Sequence, residues 1–148
     1  MRKILVTGGA GYIGSHTVVE LTAAGYTPII VDNLCNTSTQ NIEGIEKIIG
    51  NKIKWHNTDC TDKVGMDKVF TEEGTIEGAI HFAAYKAVEE SVQNPQKYYD
   101  NNMGSLEVLL QCMQENEVKN IIFSSSCTVY GMPDILPVDE NAPFKKAE

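Results

Sequence analysis

Glycines at positions 8, 9, 11 and 14 follow directly on the apolar run Ile4-Leu5-Val6, within Thr7-Gly8-Gly9-Ala10-Gly11-Tyr12-Ile13-Gly14. Two patterns overlap there, Gly9-x-Gly11-x-x-Gly14 and Gly8-x-x-Gly11-x-x-Gly14. Residues without a Cβ let the backbone approach a pyrophosphate closely, and a helix opening at that point adds unpaired N–H groups and the positive end of its dipole. Between a strand and a helix, Gly8, Gly11 and Gly14 therefore point to a dinucleotide. A carboxylate, Asp32, closes the next apolar run, Ile29-Ile30-Val31. It can accept hydrogen bonds from both hydroxyls of an adenosine ribose and would repel a 2′-phosphate. No basic residue lies between Asp32 and Gln40, so the expected cofactor is NAD and not NADP.

Further polar or small residues follow the later apolar runs. Asp59-Cys60 comes just after the third and could meet an adenine edge, although aspartate is also common loop material. His81-Phe82-Ala83-Ala84 closes the fourth with small residues over which a flat ligand could lie, and His81 itself reads as a core histidine. Lys86 could bind ribose hydroxyls or a substrate anion, or serve as a surface lysine. Ser124-Ser125-Ser126 ends the fifth, and a hydroxyl there can share a proton with a sugar hydroxyl or keto oxygen. Cys127 has no activating base nearby in sequence and reads as a buried thiol.

These groups need a scaffold that brings the ends of five apolar runs together. The runs Ile4–Val6, Ile29–Val31, Ile53–Trp55, Ile76–Ala83 and Ile121–Phe123 alternate with helical patterns. The helices are expected over Ile13–Ala24, around Ile42, Ile45, Ile48 and Ile49, over Val64–Glu73, and over Pro95–Glu117 with Leu106, Leu109, Leu110 and Met113 inward. Pro95 suits a first helical turn, where its missing N–H costs nothing. Prolines 133, 137 and 143 predict irregular structure after Gly131. Strands apolar at consecutive positions imply burial on both faces, as in a parallel sheet covered by helices. The expectation is an α/β chain with a doubly wound parallel sheet, a three-layer αβα Rossmann fold, whose ligands sit beyond the carboxyl ends of the strands.

The 148 residues, 42% hydrophobic and 22% charged, are read as one domain over 1–148. A net charge of -8 argues against nucleic acid and anionic membranes as partners. The four cysteines, Cys35, Cys60, Cys112 and Cys127, form no C-x-x-C pair and fit reduced thiols in a cytoplasm better than a disulfide framework or a metal site. The first apolar run is too short for a signal-peptide core or a membrane span.

Several segments together resemble the extended short-chain dehydrogenase/reductases. They are Thr7 to His16, Val31-Asp32-Asn33-Leu34, His81 to Val88, Tyr99-Asp100-Asn101-Asn102 and Phe123 to Gly131. Lys86-Ala87-Val88 and Ser124-Ser125-Ser126-x-Thr128-Val129-Tyr130-Gly131 narrow the resemblance to the UDP-glucose 4-epimerases. Sugar-nucleotide dehydratases usually carry acidic residues where Cys127-Thr128 stand. The resemblance implies that Tyr12 and Ile13 meet the pyrophosphate through their backbone. Asp32, Asn33, Leu34, Cys35, Asn36 and Thr37 would hold the adenosine ribose and its surroundings, and Asp59 and Cys60 would flank the adenine. Phe82, Ala83, Ala84, Tyr85 and Lys86 would line the nicotinamide side, with Asn101 and Ser124 also near the cofactor. Lys86 and Ser126 would touch substrate, Ser126 at C4 of the hexose as the catalytic residue of this chain.

The family interconverts UDP-galactose and UDP-glucose through a 4-keto sugar with tightly bound NAD, and a homodimer is implied for the full-length protein. Its base is a Tyr with Lys four positions later. The six tyrosines here have His16, Ile30, Glu89, Asn102, Met103 and Asp134 at that position. The segment Asn141–Glu148 resembles the approach to that Tyr, and the sequence ends just before it, also short of the family's C-terminal substrate domain. The chain alone is therefore expected to bind NAD and to be catalytically incomplete. A second departure is Glu89, where the family usually has glycine. A non-catalytic NAD-binding module, or a related sugar-nucleotide epimerase or dehydratase, would share the same first turn.

Overall fold

A computed structural model describes residues 2–144, so Lys145 to Glu148, the end of the segment that resembles the approach to the family's Tyr, lie outside it. Five parallel strands form the sheet: β1 (Lys3–Thr7), β2 (Thr27–Asp32), β3 (Lys54–Asn57), β4 (Gly78–His81) and β5 (Asn120–Phe123). Their order is β3-β2-β1-β4-β5, so the chain winds outward from β1 in one direction and then in the other. That reversal opens a crevice between β1 and β4, at the carboxyl ends where Thr7 stands beside His81.

The helices are α1 (Tyr12–Ala23), α2 (Thr39–Ile49), α3 (Lys63–Glu73), α4 (Val88–Gln93) and α5 (Pro95–Glu115). Alternate strand residues face opposite layers. Leu5, Ile29, Val31 and Ala79 pack with Met66, Val69, Phe70, Leu109 and Cys112 from α3 and α5. Val6 and Ile30 pack with Val18 of α1 and with Ile42 and Ile45 of α2. Consecutive apolar residues in β1 and β2 thus supply both cores, the arrangement that a parallel sheet between two helical layers requires. The expected α/β Rossmann sheet, helices on both faces, is what forms.

Several expected details differ. Ile53 and Ile76 lie outside β3 and β4, and the predicted fourth strand loses Phe82 and Ala83 to the loop that follows. α4 is an additional helix, and none of its six residues is buried. Ile48 is 71% exposed and Leu110 45% exposed, so neither belongs to its helix's inner face; Tyr98, Ser105 and Cys112 complete that of α5. The two-sided burial expected of Ile121–Phe123 is also corrected. β5 is the edge strand of the described sheet, and all four of its residues are exposed.

Opposite the crevice, Glu73 ends α3 with 3% of its surface exposed. Its carboxylate accepts from His56 Nε2 at 2.9 Å and pairs with the Lys3 and Lys54 ammonium groups at 3.3 Å each. Burial alone would raise its pKa, but the hydrogen bonds from His56, Lys3 and Lys54 outweigh that and hold it below the usual carboxylate value. The cluster ties the starts of β1 and β3 to the end of α3.

Candidate functional site

The glycine turn is shaped by contacts that exclude side chains. Gly8 has φ +68°, and a Cβ there would lie 2.8 Å from the Ala83 nitrogen and 2.9 Å from the Phe82 carbonyl carbon. A Cβ on Gly14 would come within 2.2 Å of the Gly8 carbonyl oxygen and 2.8 Å of the Gly9 Cα. The turn therefore nests against its own helix on one side and against the exit of β4 on the other. α1 starts from Gly11, which carries no capping side chain, so the amides of its first turn remain for a ligand. Tyr12 and Ile13 open the helix with side chains 77% and 56% exposed.

Asp32 ends β2 beside this turn and is 8% exposed. Its Oδ2 accepts from the Ala10 amide at 3.1 Å, and its Oδ1 from the Leu34 amide at 2.9 Å and the Thr37 hydroxyl at 3.3 Å. A carboxylate offers about four acceptor directions, so three partners leave room at Oδ2. Asn41 of α2 donates to the Ala10 carbonyl at 2.8 Å and holds the turn from the other side. Sequence pattern missed that residue; a lone polar side chain on a helix gives no signal of so long a reach.

The loops after β2 and β3 join here. Asn33 Nδ2 donates to Asp59 Oδ2 at 2.8 Å, and the Cys35 amide donates back to Asn33 Oδ1 at 3.1 Å. The Thr61 amide and hydroxyl donate to Asp59 Oδ1 at 2.8 and 2.7 Å. Burial works to raise the Asp59 pKa, but these hydrogen bonds from Thr61 and Asn33 win and hold it low. Cys60 turns inward, 6% exposed, into the core with Leu5 and Ile29. Burial, helped by the charges of Asp59 and Asp32, pushes its thiol up to about 12. Its expected place beside an adenine is therefore available to its backbone and not to its sulfur. Asn36 and Thr37 lie in the loop before α2, and Thr37 reaches this site only through Asp32. A cleft of about 490 Å³ beyond Asp59 is lined by Trp55, His56 and Lys68 along the outer edge of β3, away from the glycine turn.

His81 is 2% exposed, bonded to the Thr7 hydroxyl at 2.7 Å and stacked on Phe123 at 5.9 Å between centroids. Burial lowers its pKa to about 4, so it is neutral, as a core histidine should be. The chain then leaves β4 as Phe82-Ala83-Ala84-Tyr85-Lys86. Phe82 donates to the Thr7 carbonyl at 3.0 Å, and the Ser124 amide caps the His81 carbonyl at 3.1 Å. Ala84 and Lys86 are exposed in this loop after β4. Asn101 Nδ2 donates to Asn102 Oδ1 at 2.9 Å, and the Asn102 carboxamide in turn bonds the Tyr85 backbone.

Ser126 is exposed and caps the 3-10 turn Cys127–Tyr130, its Oγ accepting from the Thr128 amide at 3.3 Å and the Thr128 hydroxyl at 2.9 Å. In both bonds Oγ is the acceptor, which leaves its own hydrogen without an acceptor among the described residues. Gly8, Asp32, Phe82 and Ala83 thus converge at one crevice, Asn33 and Asp59 flank it beyond β2, and Ser124 borders it beyond β4.

Comparison with known proteins bears on this geometry. The UDP-glucose 4-epimerase of Dictyostelium discoideum is 51% identical over 142 residues, 96% of this chain and 41% of its own length. That of Bacillus subtilis is 48% identical, covering 95% of this chain and 41% of itself. This chain spans about two fifths of the length of these relatives. The crystal structure of the Bifidobacterium longum UDP-glucose 4-epimerase in complex with NAD+ and UDP superposes with TM-score 0.87 at 49% identity, over 97% of this chain and 42% of that one. The Stenotrophomonas maltophila UDP-glucose-4-epimerase with bound NAD and formylated UDP-arabinopyranose also reaches 0.87, at 42% identity, over 98% of this chain and 43% of that one. The sequence pattern of the GDP-mannose 4,6 dehydratase family matches residues 5–147. The pattern covers nearly the whole chain, glycine turn and β1–β4 crevice included, so the chain belongs to the GDP-mannose 4,6 dehydratase family, within which it is similar to UDP-glucose 4-epimerases.

Proposed function

We propose that this chain is the NAD-binding part of a UDP-glucose 4-epimerase acting on UDP-galactose and UDP-glucose. The observation that carries the reading is the cradle between β1 and β4, where a Cβ on Gly8 or Gly14 would collide with backbone. Space kept free of side chains in front of uncapped helix amides suits a pyrophosphate. Asp32, with acceptor capacity left at Oδ2, would take a ribose hydroxyl, and its charge favours NAD over NADP. Asn33, Asp59 and the backbone of Cys60 would border the adenine, with Leu34 to Thr37 around the ribose. Bound NAD would supply a hydride acceptor that returns the hydride to the other face of the sugar.

The protein's own share is to hold and orient. Lys86, exposed in the loop after β4, would bind ribose hydroxyls or the anionic substrate, with Phe82 to Tyr85, Asn101 and Ser124 lining the nicotinamide side. The hydroxyl hydrogen of Ser126 would meet the oxygen at C4 of the hexose. No Tyr here is followed by Lys four positions on, so the group that removes the C4 hydroxyl proton in this family is not supplied by these residues. The 148-residue chain is accordingly proposed to bind NAD with little or no turnover. Its setting is a cytoplasmic protein that pairs with a second copy when full length; among the described residues no helix is long and apolar enough to cross a membrane.

Two titrations test the proposal. NAD should bind the chain and NADP should bind at least tenfold more weakly, while UDP-galactose with added NAD should show little conversion to UDP-glucose. Equal binding of both cofactors would remove the role given to Asp32. Rapid turnover would show that the Tyr and Lys are not needed.

A further inference from the structure

The loop that carries Lys86 out of β4 is gripped at its centre by one side chain. Asn102, on the second turn of α5, accepts from the Tyr85 amide at Oδ1 (2.8 Å) and donates from Nδ2 to the Tyr85 carbonyl (3.0 Å). Its carboxamide thus pairs with both polar groups of one residue, as a neighbouring strand would, in a loop that has no strand partner. Only a group with donor and acceptor at that separation can do this, so the position calls for an amide. Asn101 adds a second donor to Oδ1 at 2.9 Å, which orients the amide so that oxygen faces the Tyr85 N–H.

The Tyr85 side chain is held separately. Its ring lies 5.6 Å from that of Tyr98 and 4.9 Å from the Lys97 ammonium. Glu90 of α4 joins both, accepting from the Tyr98 hydroxyl at 2.7 Å and pairing with Lys97. These contacts fix the ring, yet a ring can stay seated while its backbone pivots about the side-chain bonds. The paired carboxamide removes that pivot, and the next residue along the chain is Lys86.

We propose that Asn102 is a positioning residue: by pairing with the Tyr85 backbone it sets the direction in which Lys86 leaves the loop and faces the cofactor crevice. This rests on the proposal that the crevice holds NAD. Asn102 touches no ligand in this scheme; it also holds Tyr85 and the Asn101 carboxamide, but its proposed effect on NAD runs through Lys86 and not through those two neighbours.

The test is a double-substitution cycle on the 148-residue chain, read by NAD affinity, with amide exchange as an independent readout. Asn102→Ala should speed exchange of the Tyr85 amide at least tenfold in the cofactor-free chain and weaken NAD about tenfold, the usual scale for a lost hydrogen-bonded contact. Lys86→Ala should weaken NAD by a similar factor, and the double variant should be no worse than either single one. A product of the two losses, about a hundredfold, would overturn the proposal, as would unchanged affinity in Asn102→Ala. Asn102→Asp covers the case in which the alanine variant does not fold. Its ionised carboxyl keeps the acceptor and loses the donor, so NAD affinity should be weak at neutral pH. Protonation restores the donor, and affinity should recover relative to wild type as pH falls through the carboxylate range. A pH profile parallel to wild type would refute the clamp. If the wild-type chain bound no NAD, the proposed function would fall, while exchange at Tyr85 would still show whether Asn102 holds the loop.

Discussion

Replacing Gly14 by alanine and Gly44 by alanine makes the same chemical change in two helices, with opposite expected outcomes. Both positions gain helix propensity, worth about 0.5–1 kcal/mol. At Gly44 the added methyl meets nothing within 4 Å, so that gain is the whole effect. At Gly14 it would lie 2.2 Å from the Gly8 carbonyl oxygen and 2.8 Å from the Gly9 Cα. Both are backbone, and relief requires moving the turn, an overpacking cost of about 1–3 kcal/mol at the least. A 2.2 Å approach to backbone puts the cost at the upper end of that range, about 3 kcal/mol, and subtracting a gain of about 1 kcal/mol leaves a net loss of about 2 kcal/mol. For a chain of this size each kcal/mol shifts Tm by roughly 2–4 °C, so Gly14→Ala should melt about 4–8 °C lower and Gly44→Ala about 2 °C higher. Thermal unfolding followed by circular dichroism, with urea midpoints as a check, measures both. Gly14→Ala should also lose NAD binding, and Gly44→Ala should not. Equal or raised Tm in Gly14→Ala would refute the close approach on which the cradle depends.

Three further outcomes follow from other parts of the fold. His81 has its pKa lowered to about 4 in the folded chain against about 6.5 unfolded, so its contribution is complete above pH 6.5 and drains away as pH falls toward 4. That amounts to about 3 kcal/mol, and urea titrations between pH 7 and pH 4 should lose this much of their slope in His81→Gln. Glu73→Gln strips the charge from a buried partner of Lys3, Lys54 and His56 and should cost about 2–3 kcal/mol, reduced from the fully buried case because Lys54 is largely exposed. Since the Glu73 pKa is held low, its contribution is present above about pH 4.5 and lost below, and an effect under 0.5 kcal/mol at pH 7 would count against the cluster. The exposed β5 residues Ile121, Ile122 and Phe123, with Leu110 sharing a shallow cleft with Ile121, should drive self-association of the isolated chain. Light scattering should show Ile122→Lys reducing it, and a clean monomer for the wild type at high concentration would contradict the prediction.

The layered architecture was legible because Leu5-Val6 and Ile29-Ile30-Val31 are apolar at consecutive positions, which only two-sided burial explains. The glycine turn was legible because its spacing encodes contacts between near neighbours, and Asp32 because it ends a strand that the turn adjoins. What escaped depends on distance or on missing cover. Ile48 and Leu110 obey helical periodicity, yet periodicity cannot tell whether anything packs on the residue. β5 looks like its sister strands in composition and differs only by standing at the edge of the described sheet. α4 is short and exposed all round, so no apolar stripe announces it. Asn41 and Asn102 act through hydrogen bonds to chain far away in sequence, to Ala10 and to Tyr85, and an asparagine carries no mark of such a partner. Cys60 was placed at the right loop, but which way its sulfur faced was decided by the core behind it.

The threefold attachment of Asp32 has a bearing on any redesign of cofactor preference. Exchanging this residue for a small neutral one, the obvious route toward a phosphorylated ribose, would also release the Ala10 amide, the Leu34 amide and the Thr37 hydroxyl. Ala10 sits inside the glycine turn, so, on the proposed binding mode, the loss would reach the pyrophosphate cradle and weaken the half of the ligand that the two nucleotides share. A successful design must therefore supply new acceptors for those donors before it supplies a cation for the phosphate. If Asp32 selects the cofactor as proposed, selectivity and turn geometry are linked through one carboxylate, and preference should change by concerted replacements in the loop after β2 and not by one step at position 32.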